Sequence, residues 1–200
     1  MQLDQSHKGF SFSKDGPLDM RMDPTSDFTA SDIVNNWSEK DLGELFLKYG
    51  EEPRWRKAAT AVVQARRKKP IETTGQLAQV IVDALKSPLK GKWHPATLIF
   101  QALRICVNSE LDAVVEGVSK AIKYLAPQGV IGLISFHSLE DRIVKNIFKD
   151  ASAKPKKREM NAILPTLELL TKKPLIPSLK EIRNNPRSRS AKLRFAKKIC

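Results

Sequence analysis

Cysteine is scarce in this sequence: two of 200 residues, Cys106 and Cys200, far apart along the chain. A disulfide framework and a cysteine knuckle around zinc are therefore not expected, and no metal site is assigned. Long apolar runs are lacking too. No window approaches the roughly 18–20 consecutive apolar residues of a membrane helix, and the N-terminus has no charged start followed by an apolar centre. The expectation is a cytoplasmic chain with no membrane partner. Aromatic residues make up 6% of the chain, and nothing in their spacing suggests the paired aromatic platform of a base-stacking sheet. Phosphate-binding glycine patterns are absent as well: the nearest pair, Gly129 and Gly132, falls before and inside a strand pattern rather than at a strand-to-helix turn.

Positive charge is plentiful. Lys and Arg number 35 against 22 Asp and Glu, a formal charge of +13, and the last fifty residues hold 14 of the basic residues and three of the acidic ones. A second cluster, Arg66-Arg67-Lys68-Lys69, shares a helical pattern with Arg54, Arg56 and Lys57. Two such clusters favour a polyanion, because each phosphate neutralised releases counterions. With few aromatics, contact with a nucleic-acid backbone is expected more than base reading.

Residues 1–29 carry turn signals at Asp15-Gly16-Pro17 and Asp23-Pro24, yet Phe10, Phe12, Leu18, Met20 and Met22 recur among polar residues. That pattern suits a loop lying across a surface or lining a site. From Ser31 to Lys86 the periodicity is helical. Ser38 with Asp41 reads as a capping box, Pro53 opens a second helix with Ala59, Val62 and Val63 inward, and Thr74 caps a third carrying Leu77, Ile81 and Leu85. Residues 87–93 read as a boundary loop.

His94-Pro95 then starts a helix whose apolar stripe, Ile99, Leu103 and Cys106, runs up to Asn108, and Ser109 restarts one through Leu125. Val130–Phe136 is a continuous apolar run and is expected to be a buried strand. Ser138-Leu-Glu-Asp141 reads as the capping-box start of the next helix. Helix, short loop, buried strand and helix together indicate an α/β sheet covered on both faces. The chain near Lys154–Lys157 is expected to be mobile. Ala191–Ile199 is expected to be a half-buried strand near an edge, with Leu193 and Phe195 alternating against Lys192 and Arg194. His137, between strand and helix, sits where open α/β sheets bind ligands. Ser135, His137 and Asp141 offer the residue types of a hydrolase triad, but no serine occupies a nucleophile elbow.

Several blocks occur in an order that resembles one family. They are Gln2-Leu-Asp4, Gly9-Phe-Ser-Phe12, Asp15-Gly-Pro-Leu-Asp-Met-Arg-Met-Asp-Pro24, Tyr49-Gly-Glu-Glu52, His94-Pro-Ala-Thr97, Phe100-Gln-Ala-Leu-Arg104, Val107-Asn-Ser-Glu-Leu111, Ile134-Ser-Phe-His-Ser-Leu-Glu-Asp-Arg-Ile-Val144 and Asn185-Pro-Arg-Ser-Arg-Ser190. Together they resemble the bacterial 16S ribosomal RNA cytosine-N4 methyltransferases, the MraW family, over essentially the whole chain.

The resemblance implies an α/β fold: the C-terminal portion of a Rossmann-like S-adenosylmethionine-dependent methyltransferase with an inserted all-helical domain. Residues 1–30 would be a site-lining loop of the core, 31–91 the inserted domain, concerned with RNA recognition, and 92–200 the rest of the core with a basic tail. The implied reaction is methylation of a cytidine amine in the decoding region of 16S rRNA, with the small ribosomal subunit as partner. In the family a glycine-rich first half holds S-adenosylmethionine, and its main motifs are not in this sequence. The chain is therefore expected to be N-terminally shortened by a mis-assigned start or a broken gene, or completed by a separate N-terminal half.

Gln2 is carried over as the cofactor contact, and no catalytic residue is assigned. Asp15, Asp19, Arg21, Asp23, Ser135, His137 and Ser138 would border the cytidine pocket, while Arg66, Arg67, Arg187 and Arg189 would meet RNA phosphates. For the aspartates and Arg21 the competing reading is that they pin a long loop by mutual ion pairs. For the chain as a whole it is a non-catalytic RNA-binding remnant or one half of a split methyltransferase.

Overall fold

The computed structural model describes residues 8–86, 94–153 and 165–199. Gln2, the boundary loop at 87–93 and the segment expected to be mobile at 154–157 lie outside them. The chain divides into two compact units, Met1–Glu110 and Leu111–Cys200.

Among the described residues, unit 1 holds five α-helices: α1 (Ala30–Asn36), α2 (Glu39–Lys48), α3 (Trp55–Lys68), α4 (Thr74–Leu85) and α5 (Thr97–Val107). Local chemistry explains most of their boundaries. Thr29 and Asp32 form a capping box for α1, a helix that the sequence reading did not separate from α2. Ser38 accepts from the Asp41 amide to start α2, as expected. At α4 the cap lies one residue earlier than expected: Thr73 pairs with Gln76, and Thr74 is a fully buried first-turn residue.

The core joins apolar stripes of all five helices, with Phe46, Ile33, Leu42, Leu77, Ile81, Ile99 and Leu103 fully buried. Leu18 and Met20 of the opening loop are as deeply buried. The loop is stitched down by main-chain bonds: Leu18 N donates to Glu72 O at 3.0 Å, and Thr74 N donates to Gly16 O at 2.9 Å.

Gly43, in the middle of α2, packs against Trp55 of α3. A Cβ there would stand 2.6 Å from Cζ3 of Trp55. Alanine gains about 1 kcal/mol of helix propensity but must displace a packed indole, and overpacking commonly costs about 1–3 kcal/mol. Gly43→Ala is therefore expected to lower the urea midpoint, with packing outweighing propensity.

Unit 2 contains α6 (Glu110–Tyr124, assigned here for all but its first residue), β1 (Val130–Ser135), α7 (Ser138–Ala151), β2 (Leu167–Leu169), α8 (Leu179–Asn184), a 3-10 turn at Pro186–Ser190 and β3 (Lys192–Lys198). The three strands form a sheet in the order β1-β3-β2. Both outer strands run antiparallel to β3, with Val130 opposite Lys197, Ser135 opposite Lys192 and Leu169 opposite Ala196. Gly132 faces Phe195, whose ring takes the place a Cβ would need, 2.5 Å away.

Three expectations are corrected here. β3 is a strand, but it is central rather than near an edge. Its buried side carries Arg194 and Ala196 instead of Leu193 and Phe195, because Asp141 supplies a buried carboxylate for the guanidinium. β1 is an outer strand of this sheet, with Val130 53%, Ile134 60% and the following Phe136 55% exposed, so the described residues of unit 2 do not cover both its faces. Lastly, the α7 cap is His137 rather than Ser138: its ring Nδ1 accepts from the Glu140 amide, and the Glu140 carboxylate accepts in return from the His137 amide. The small core of unit 2 gathers Val118, Val144, Phe148, Leu167 and Ala196.

Candidate functional site

In the opening loop every carboxylate named from the sequence is engaged. Asp15 accepts from the Gly75 amide at 2.7 Å and the Gly16 amide at 3.0 Å, at the N-terminus of α4. These bonds, the Gly75 amide first, hold its carboxyl below the usual carboxylate range. Asp19 and Arg21 form a two-pronged pair, both contacts 2.8 Å, and the guanidinium also donates to the carbonyls of Pro24 and Ser26. The Arg21 side-chain bonds hold the Asp19 carboxyl low. Asp23 turns on itself, accepting from the hydroxyl and amide of Thr25 at 2.7 and 2.9 Å.

Asn108 ties this loop to the end of α5. Its Oδ1 accepts from Met22 N at 2.7 Å, and its Nδ2 donates to Met20 O at 2.8 Å. Arg21, Met22, Asp23 and Ser26 consequently line a shallow pocket of about 210 Å³ with Val107, Asn108 and Ser109. A larger cleft of about 570 Å³ opens beside α2, walled by Trp37, Leu45, Tyr49 and Cys106 and edged by Asp41 and Lys48. Burial pushes the Cys106 thiol up.

The basic cluster of α3 separates into two kinds of residue. Arg66 is half-buried and donates to Val34 O at 2.6 Å and Trp37 O at 2.5 Å, closing the C-terminal end of α1. Burial, with Arg67 beside it, lowers its pKa. Arg67, Lys68 and Lys69 are exposed. Arg66→Ala is expected to cost about 1–3 kcal/mol in chemical denaturation, because two carbonyls lose their partner. Arg67→Ala, at an exposed position, should stay within about 0.5 kcal/mol of wild type in the same measurement.

In unit 2 the register gathers the remaining residues. Ser135 pairs with Lys192, and the 3-10 turn that carries Arg187 and Arg189 ends two residues before Lys192. Ser135, His137, Ser138, Arg187 and Arg189 therefore share one end of the sheet. Ser135 is 4% exposed, and its Oγ lies 3.5 Å from Lys192 O. Asp141 is not a triad partner of His137. Arg194 Nε and Nη2 donate to its two oxygens at 2.7 and 3.1 Å, and Lys192 Nζ lies 3.4 Å away. The Arg194 bonds, foremost, keep the Asp141 carboxyl well below its usual value. This clamp was missed from sequence; the signal available was an arginine on the same face of β3 as Ala196.

The β1–α7 junction offers no cradle for an S-adenosylmethionine carboxylate or ribose. Its residues are Ser135-Phe136-His137-Ser138 rather than glycines, and the amides of Phe136 and His137 already donate to Glu140 Oε2 at 2.8 and 3.2 Å. That junction therefore does not fit the cofactor. No described helix is long and apolar enough to cross a membrane.

Comparison with known proteins places these features in context. The chain is 55% identical to the ribosomal RNA small subunit methyltransferase H of Protochlamydia amoebophila, over 99% of its own length and 65% of that protein's. It is 51% identical to the namesake from Persephonella marina, over 98% and 64%, and 49% identical to that of Synechococcus elongatus, over 99% and 62%. It thus spans a little under two thirds of the length of these relatives. The model of the MraW methylase family matches residues 1–199, and the chain belongs to that family.

Proposed function

We propose that this chain is the substrate-handling part of an S-adenosylmethionine-dependent enzyme that methylates N4 of a cytidine in the decoding region of 16S rRNA. The observation that carries the reading is the family match along residues 1–199. In this reading residues 31–91 form an inserted RNA-recognition domain, and the core is Rossmann-like. A further segment, in the same polypeptide or a separate one, supplies the nucleotide-binding half, with Gln2 as this chain's own cofactor contact.

A cytidine amine is a weak nucleophile, so the chain's contribution is to orient the base and exclude alternatives rather than to supply a strong base. Ser135, His137 and Ser138 border the cytidine at one end of the sheet, and Arg187 and Arg189 hold phosphates there. In unit 1 the exposed side of the loop, around Arg21 and Asp23, borders a nucleotide in this reading, and the exposed Arg67 extends that unit's basic surface. Two features support this reading: the convergence of the β1 end with the basic 3-10 turn, and a charge of +13 suited to an RNA partner.

The test is methyl transfer to small subunits that lack the mark, mapped by mass spectrometry, with the chain alone and with the preceding part of a relative added. N4-methylcytidine in the decoding region, formed only in the supplemented mixture, is expected. A methyl group on another atom, or none in either mixture, overturns the reading. Calorimetry of the chain alone should show no micromolar S-adenosylmethionine binding, and such binding would remove the need for a further segment.

A further inference from the structure

Pro174-Leu-Ile-Pro177 and Leu179 make an unusual surface. Ile176 and Leu179 are each 74% exposed and Leu175 is 52% exposed, while the two prolines beside them are half-buried. Proline fixes φ, and Leu175 exchanges two main-chain bonds with Leu193 at 2.8 and 2.9 Å, so the aliphatic side chains sit on a stiff base. Around them stand Lys172, Lys173, Lys180 and Arg183, all exposed; between residues 169 and 190 six basic residues face one acid, Glu181. An aliphatic ridge in so basic a setting is complementary to a partner that is anionic outside and apolar within.

Its place in the fold selects the partner. Leu175 lies opposite Leu193 on one side of β3, while Ile134 lies opposite Leu193 on the other. With strands about 4.8 Å apart, the ridge base is about 10 Å from the β1 end. That is the end that carries Ser135, His137 and Ser138. A base inside a stacked helix cannot present its exocyclic amine to a pocket, and proteins that open such stacks often insert leucine, isoleucine or proline between bases.

We propose that Ile176 and Leu179 form a wedge that unstacks RNA next to the nucleotide to be modified, with Lys172, Lys173 and Lys180 holding the flanking phosphates. The proposal rests on the reading that this chain handles RNA.

The test uses the full chain and a short RNA stem-loop with 2-aminopurine beside an unpaired cytidine. Wild type is expected to raise the fluorescence by about threefold or more as stacking is lost. Ile176→Ala with Leu179→Ala, both at exposed positions, should abolish most of that rise while changing affinity by less than about threefold. Lys172→Gln, Lys173→Gln and Lys180→Gln together should lower the salt slope by roughly 2–3. RNA binding with no fluorescence rise, or a rise untouched by the double variant, overturns the wedge alone. No RNA binding at all overturns the RNA reading and the wedge with it. Binding to vesicles of anionic phospholipid that depends on Ile176 and Leu179, with none to RNA, assigns the ridge to a membrane surface and overturns it as well.

Discussion

Asp141→Ala is expected to lower the unfolding free energy of unit 2 by about 3–5 kcal/mol, because it strands the Arg194 guanidinium in a buried site. Both residues are less than 10% exposed, and the two short bonds between them join the first turns of α7 to the middle strand. Set against a typical domain stability of about 5–15 kcal/mol, that is a large fraction. Replacing the pair together, Asp141→Leu with Arg194→Met, should recover most of the loss, since an apolar pair of similar volume avoids desolvating either charge. Urea denaturation of the single and double variants decides this, and a loss below about 1 kcal/mol for Asp141→Ala would falsify it. The pH dependence has a definite sign. A carboxyl depressed in the folded state contributes its full stability above its unfolded value of about 3.9 and loses it as pH falls through the folded value. Wild type should therefore lose stability below about pH 4, and the gap to Asp141→Ala should narrow over the same range.

The second large effect lies in the opening loop. Met20 is fully buried and sits at φ +65°, so it fills the core of unit 1 from a backbone conformation that costs most residues about 1–2 kcal/mol. Met20→Ala should remove about 2–5 kcal/mol, the usual range for emptying a buried methionine site. Met20→Gly empties one methyl group more but accepts the positive φ freely, so the two effects offset and it should be about as stable as the alanine variant. Thermal unfolding of the two variants gives the answer. A loss near zero for Met20→Ala would mean that the loop is only laid against the helices. The expected outcome makes the loop two-sided: Leu18 and Met20 belong to the core, whereas Met22 and the Arg21–Asp23 turn remain at the surface.

What could be read from the sequence depended on range. Helices α2, α3 and α4 announced themselves through spacing and through Ser38, and β1 through its apolar run, because those signals act within a few residues. Cap positions slipped by one at Thr73 and His137, where neighbouring residues, Thr74 and Ser138, could have served equally well by type. The face of β3 was misjudged for a different reason. Alternation alone puts leucine and phenylalanine inward, and only a partner 53 residues away, Asp141, makes it favourable to bury Arg194 instead. The candidate site followed the same division. Residue types at the β1–α7 turn were legible, but their convergence with Arg187 and Arg189 depends on the pairing of Ser135 with Lys192. The capping role of Arg66 was hidden in a run of like charges, since nothing in that run distinguishes the arginine that turns back toward α1.

The central place of β3 has a consequence for the order in which the molecule can be made. Among the described residues β1 and β2 do not pair with each other; in the sheet each pairs with Lys192–Lys198. During synthesis, unit 1 has all its helices available once residue 110 has emerged and can settle while translation continues at about 5–20 residues per second. The sheet of unit 2 must wait for nearly the last described residues. Until β3 is available, β1 and β2 lack the strand that joins them, and their unpaired edges are open to misassociation.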